Sequence, residues 1–145
     1  MSTPILGLVS LYANPIHRGH VEYLQKSKSM VDKLIVIVNN DHQALLKKGW
    51  SFMNEDERML IIKEFRCVDE VFLAIDTDST VIESIKYLAS LDHKPTYFLK
   101  GGDRILALGN IPEAAICEEL GIKIIDGVGD KIQSSTNLIE GCKLR

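Results

Sequence analysis

His17 and His20 stand three residues apart in the run Asn14-Pro15-Ile16-His17-Arg18-Gly19-His20. An apolar stretch at 5–11 precedes them and a helical pattern follows. A strand that ends in a Pro/Gly turn and opens into a helix aims unpaired backbone N–H groups at the turn, which makes a site for an anion. Imidazoles at this spacing share one side of the first helical turn. Gly19 has no side chain to keep a ligand off the backbone. Phosphate is the anion that suits this arrangement. A helix that simply begins with two solvated histidines is the bland alternative, and the flanking strand and helix weigh against it.

Three further groups carry chemistry. Lys47-Lys48-Gly49 offers mobile point charges suited to phosphates that shift during transfer. Of two consecutive lysines, one is expected to face a site and the other solvent, because neighbouring side chains diverge. In Lys100-Gly101-Gly102-Asp103-Arg104, paired glycines permit a tight bend with exposed N–H groups. There Lys100 and Arg104 could offset phosphate charge, and Asp103 could hold a hydroxyl or a metal. Ser134-Ser135-Thr136 supplies hydroxyls that cap a helix and can donate to phosphate. Read alone, these are also a solvated lysine pair, a Gly-rich turn and a plain N-cap. His42 and His93 read as surface loop residues, and Trp50 as loop packing.

These groups need a frame that gathers them. Apolar runs at 5–11, 33–39, 70–75, 96–100 and 123–125 read as strands, several of them continuous Val/Ile/Leu as in parallel strands covered on both faces. Amphipathic stretches at 19–30, 54–65, 79–90, 112–120 and from about 135 onward read as helices. Asn54 with Glu57 makes a capping-box start, Pro112 suits a first helical position, and Gly121 a helix stop. The alternation predicts an α/β, Rossmann-like fold: a five-stranded parallel sheet of order 3-2-1-4-5, with helices on both faces, in one domain over 1–145. In such sheets ligands bind beyond the carboxyl ends of the strands. The unusual residues all fall in those loops: His17 and His20 after the first strand, 40–49 after the second, Asp76-Thr77-Asp78 after the third, Lys100 to Arg104 after the fourth, and 126–135 after the fifth. They converge on one composite site.

The motifs resemble the nucleotidyltransferase superfamily that carries a His-x-Gly-His signature, over nearly the whole chain and in the family's order. The Lys-Gly-Gly-Asp run resembles ADP-heptose synthase. Arg66-Cys67-Val68-Asp69-Glu70-Val71 resembles glycerol-3-phosphate cytidylyltransferase, and suggests a structural or interface role for Arg66 and Asp69. The resemblance implies transfer of AMP or CMP from ATP or CTP to a phosphorylated sugar or polyol, with release of pyrophosphate. It assigns catalysis to His17, His20, Lys47 and Lys48. Nucleotide binding falls to Leu11, Tyr12, Ala13, Asn14, Gly19, Lys100, Gly101, Gly102, Asp103, Ser134, Ser135 and Thr136, and acceptor binding to Arg58 and Arg104. It implies Mg²⁺ held mostly by phosphates and water, with no protein metal site, and a homodimer. This chain departs from the cytidylyltransferase pattern in having Ala13-Asn14 where Phe-Asp is usual, so a carboxylate is missing. Asn-Pro-Ile-His instead resembles nicotinate mononucleotide adenylyltransferases, which keep an arginine where this chain has Asn137 to Ile139. That acceptor, and a nucleotide-binding module without turnover, stand as alternatives.

Composition agrees with these expectations. The 145 residues suffice for one domain with a buried core. A net charge of −3 argues against bulk nucleic-acid binding. No apolar run approaches membrane-spanning length. Cys67, Cys117 and Cys142 lack metal-ligand spacing, so buried or free thiols in a reducing compartment are expected. The N-terminal residues lack the pattern of a signal peptide, so a cytoplasmic location is expected.

Overall fold

A computed structural model describes residues 3–102 and 104–129. Five parallel strands form one sheet: β1 (Leu6–Leu11), β2 (Lys33–Val38), β3 (Glu70–Leu73), β4 (Tyr97–Gly101) and β5 (Lys123–Val128), in the order β3-β2-β1-β4-β5. The expected topology is therefore present. β1 runs in full register with β2, from Leu6 opposite Lys33 to Leu11 opposite Val38. On its other side β1 meets β4, with Gly7 opposite Tyr97 and Leu8 opposite Phe98. The chain reverses its direction of travel across the sheet between β1 and β4, which is the switch point where such sheets bind ligands.

Alternation along the strands divides the core into two layers. On one face Leu6 and Leu8 of β1, Ile35 and Ile37 of β2 and Phe98 of β4 pack with Ile85, Leu88 and Cys117. Those last three come from helices α4 (Ile82–Ala89) and α5 (Ala114–Leu120). On the other face Val9, Leu11, Leu34, Val36, Val38 and Leu99 pack with Leu24 and Ile62. These belong to α1 (Arg18–Lys28) and α3 (Glu55–Lys63). Helices on both faces explain why the strands read as unbroken apolar runs. Gly7 leaves room for Val31 against β1, since a Cβ there would sit 2.6 Å from Cγ1 of Val31.

Element boundaries differ from expectation in several places: β3 ends at Leu73, and β5 continues through Asp126 to Val128, residues expected in the following loop. Residues 40–49, expected as a loop, contain α2 (Asp41–Lys48), with Asn40 and Gln43 in a reciprocal capping box and Gly49 ending the helix at φ 78°. The fourth helix starts at Ile82 because Asp76 caps it from outside, accepting the N–H groups of Glu83 and Ser84. Pro112 stands in the turn before α5, not in its first turn, and Glu113 is the N-cap. A short 3₁₀ turn, Leu106–Leu108, lies in the loop after β4. The helix expected from 135 lies outside the described residues. Cys67 and Cys117 are free thiols. Among the described residues no helix is long and apolar enough to cross a membrane.

Candidate active site

The segment from Tyr12 to His20 turns the chain out of β1 and into α1. Ala13 adopts φ 52° and the Asn14–Pro15 peptide is cis. His17, in extended backbone, is the N-cap of α1. Its Nδ1 accepts the N–H of Gly19 at 3.0 Å, while Nδ1 of His20 accepts the N–H of His17, also at 3.0 Å. The rings lie 3.9 Å apart. A ring nitrogen that accepts a backbone N–H carries no proton, so each neutral imidazole has its hydrogen on Nε2. Burial lowers the pKa of both rings, and Lys48 adds to the effect. For His20, burial followed by the charges of His17, Lys48 and Lys47 brings the value to about 3. Both histidines are thus neutral donors at physiological pH, fixed in one tautomer by the backbone they cap.

The lysines come from the last turn of α2. Nζ of Lys48 donates to the Asn14 carbonyl at 3.3 Å, and Nζ of Lys47 lies 4.3 Å from the centroid of the Tyr12 ring. Both reach the Tyr12–Asn14 segment, but Lys47 is exposed and Lys48 half-buried, so the two are unequally solvated, as expected. Their long stems overcome the divergence of consecutive Cβ atoms. Burial lowers the Lys48 pKa. Asn14 is buried, and its Oδ1 accepts the N–H of Met53 at 2.6 Å, so the Nδ2 group is the free end. Among the described residues Nδ2 has no partner.

Arg58 corrects one expectation. It is only 1% exposed, with Nε donating to the Met53 carbonyl, NH1 to those of Tyr12 and Asn39, and NH2 to Oδ1 of Asp41. Its guanidinium therefore ties α3 to the ends of β1 and β2 and to the start of α2, and is not presented to an acceptor. Asp69 is likewise structural, accepting the Leu34 N–H at 2.8 Å and pairing with Lys28.

At the end of β4, Lys100 Nζ donates to Ser10 Oγ at 3.2 Å and lies 5.2 Å from the Phe98 ring centroid. Burial lowers its pKa. Gly101 is required by packing: a Cβ would approach the Val128 carbonyl at 2.8 Å and the Tyr23 ring at 2.9 Å. The Tyr23 hydroxyl donates to the Leu99 carbonyl beside it. Gly102 has φ 63°, a conformation that suits glycine. Arg104 is exposed, with NH1 on the Asn110 carbonyl at 2.8 Å. Asp103, Ser134, Ser135 and Thr136 lie outside the described residues. His42, His93 and Trp50 are exposed.

Sequence reasoning passed over Glu113. It is buried, and its Oε2 accepts the Val81 N–H at 3.0 Å at the start of α4. The available signal was a lone carboxylate in the otherwise apolar run from Ile111 to Cys117.

The described part of the site is thus a strand-to-helix loop with paired neutral imidazoles, two lysines leaning over it, and a lysine at the next strand that donates to Ser10. A family model described as Cytidylyltransferase-like matches residues 13–140, from the foot of this loop onward. The chain belongs to the cytidylyltransferase-like family. Two proteins named "Bifunctional protein HldE" are similar to it. The one from Pelobacter propionicus is 30% identical over 135 residues, covering 86% of this chain and 24% of its own length. The one from Syntrophotalea carbinolica is 31% identical over 133 residues, with the same coverage. This cytidylyltransferase-like chain therefore spans about a quarter of the length of those relatives. The crystal structure of a lipopolysaccharide core biosynthesis protein from Thermoplasma volcanium shares the fold, with TM-score 0.70 and 22% identity over 88% of this chain and 98% of that one.

Proposed function

We propose that this protein transfers a nucleoside monophosphate from ATP or CTP to a phosphorylated sugar or polyol and releases pyrophosphate. The observation that carries the reading is the reciprocal cap of His17 and His20, which leaves two neutral Nε2–H donors beside Lys48. An oxygen of the acceptor phosphate attacks the α-phosphorus, the bond to the bridging oxygen breaks, and pyrophosphate leaves with the electron pair. The acceptor is largely dianionic at neutral pH, its second pKa being about 6, so no strong general base is needed. Rate comes from alignment and from donors preset where negative charge grows. The imidazoles supply the donors, and Lys47 and Lys48 offset the charge of the β- and γ-phosphates. The sugar-phosphate acceptor is supported by the resemblance of the Lys100 loop to ADP-heptose synthase. A homodimer in the cytoplasm completes the reading.

The protein supplies no ligand set for Mg²⁺ among the described residues, where no three of His, Cys, Asp or Glu gather. Where a carboxylate is usual stands the neutral Asn14, whose Oδ1 accepts the Met53 N–H. The residues fit a cation carried on the triphosphate's own oxygens, where it would neutralise phosphate charge.

Pyrophosphate release with ATP and CTP against hexose phosphates, glycerol 3-phosphate and nicotinate mononucleotide tests the assignment. Turnover with a sugar or polyol phosphate is expected. Efficient dinucleotide formation from nicotinate mononucleotide alone would move the chain to the adenylyltransferase branch that Asn14-Pro15-Ile16-His17 resembles. Nucleotide binding without pyrophosphate from any pair would make it a binding module.

A further inference from the structure

Glu113 is 4% exposed, yet folding explains only half of its carboxylate. Oε2 accepts the Val81 N–H at 3.0 Å, a task that one oxygen completes. Oε1 is buried and, among the described residues, has no partner. An unmet buried carboxylate oxygen is costly, and a hydroxyl or amide side chain could have capped Val81 without that penalty. Lys100 shows the complementary shortfall. Its ammonium has three donors, and among the described residues only Ser10 Oγ accepts from it. Burial lowers its pKa while Glu113 acts in the opposite direction, so the two opposite charges feel each other without forming an ion pair. Ser10, Phe98 and Lys100 share the face of the sheet that carries α4 and α5, whereas His17 and His20 open α1 on the other face. The half-buried Tyr12, just past the end of β1, feels the charges of both Arg104 and Glu113.

We propose that Glu113 Oε1 and the Lys100 ammonium together receive a hydroxyl of the phosphorylated acceptor, which donates to the carboxylate and accepts from the ammonium. A hydroxyl does both through one atom. A phosphate or carboxylate placed there would be repelled by Glu113. The pair thus selects polyhydroxylated phosphate esters and leaves the phosphate itself to the histidine side of the sheet. This inference rests on the nucleotidyl-transfer reading above and names a determinant of its acceptor class.

Glu113→Gln tests it, because the amide keeps the volume and its oxygen still accepts the Val81 N–H. Calorimetric titration of the full chain would compare glycerol 3-phosphate and a hexose 1-phosphate with methyl phosphate, which bears no hydroxyl. Wild type should bind a hydroxylated ester at least about 10-fold more tightly than methyl phosphate, the scale of one hydrogen bond to a charged group. Glu113→Gln should bring that ratio close to one and leave methyl phosphate binding and the thermal midpoint unchanged. Lys100→Gln should reduce the same ratio and serves if the first variant does not fold. A wild-type ratio near one, or a ratio that the variants leave intact, overturns the proposal. Pyrophosphate release is read in parallel. An intact wild-type ratio that the variants abolish, with no turnover from any acceptor, would refute the transfer reading and not this assignment. Turnover with an unmoved ratio would refute this assignment alone.

Discussion

Each imidazole of the pair both caps α1 and offers a donor, and substitutions can separate the two roles. Serine at position 17 can still accept an N–H in the first turn, and glutamine at position 20 can reach back as in a capping box. His17→Ser and His20→Gln should therefore keep thermal midpoints near wild type while pyrophosphate release falls on the order of 10²-fold, as for loss of one charge-stabilising donor. Alanine at either position should lose activity similarly and also lower stability by about 1 kcal/mol through the missing cap. Wild-type turnover in His20→Gln would remove His20 from the chemistry. The buried His20 also imposes a pH dependence on folding. Its pKa is about 3 in the folded chain against 6.5 for an ordinary histidine, so between those values the unfolded chain takes up a proton that the folded one refuses. The stability this represents is complete above about pH 6.5 and is lost as pH falls toward 3. Urea midpoints between pH 4 and 8 should decline on acidification more steeply for wild type than for His20→Gln.

At the scale of elements, Arg58 shows how α3 serves the site without touching a ligand. Its guanidinium satisfies three backbone carbonyls and Asp41, joining four segments. Arg58→Met should cost about 3 kcal/mol or more, because buried acceptors and a charge lose their partner. A large drop in thermal midpoint would show it, and a reduced acceptor affinity at unchanged stability would contradict it. Gly101→Ala should destabilise by about 1–3 kcal/mol, since the new methyl meets backbone and an anchored ring. Sequence made the strands legible because burial on both faces leaves long apolar runs. It hid α2 because Leu45 and Leu46 are exposed and Lys47-Lys48-Gly49 has the composition of a loop. The capping box of Asn40 and Gln43 was nevertheless present in the letters. Arg58 was misjudged for a related reason: an arginine on an amphipathic helix does not announce that its guanidinium turns inward.

The whole molecule brings residues far apart in sequence to the carboxyl edge of the sheet, and this much followed from strand order alone. Glu113 did not, because its half-met carboxylate depends on which backbone N–H the fold sets beside it. The same edge also carries two helix beginnings closed by opposite means. α1 opens behind neutral imidazoles. α4 opens behind carboxylates, with Asp76 on Glu83 and Ser84, and Glu113 on Val81. Negative charge already fills the α4 opening, so a dissolved oxyanion is turned away there but not at α1. Sulfate in the buffer should therefore inhibit in competition with the nucleotide, and its effect should vanish when the donors at positions 17 and 20 are removed. Under the proposed transfer the substrates would enter with a one-way polarity: the anionic tail of the donor toward α1, and the neutral, hydroxyl-bearing body of the acceptor toward the opposite side.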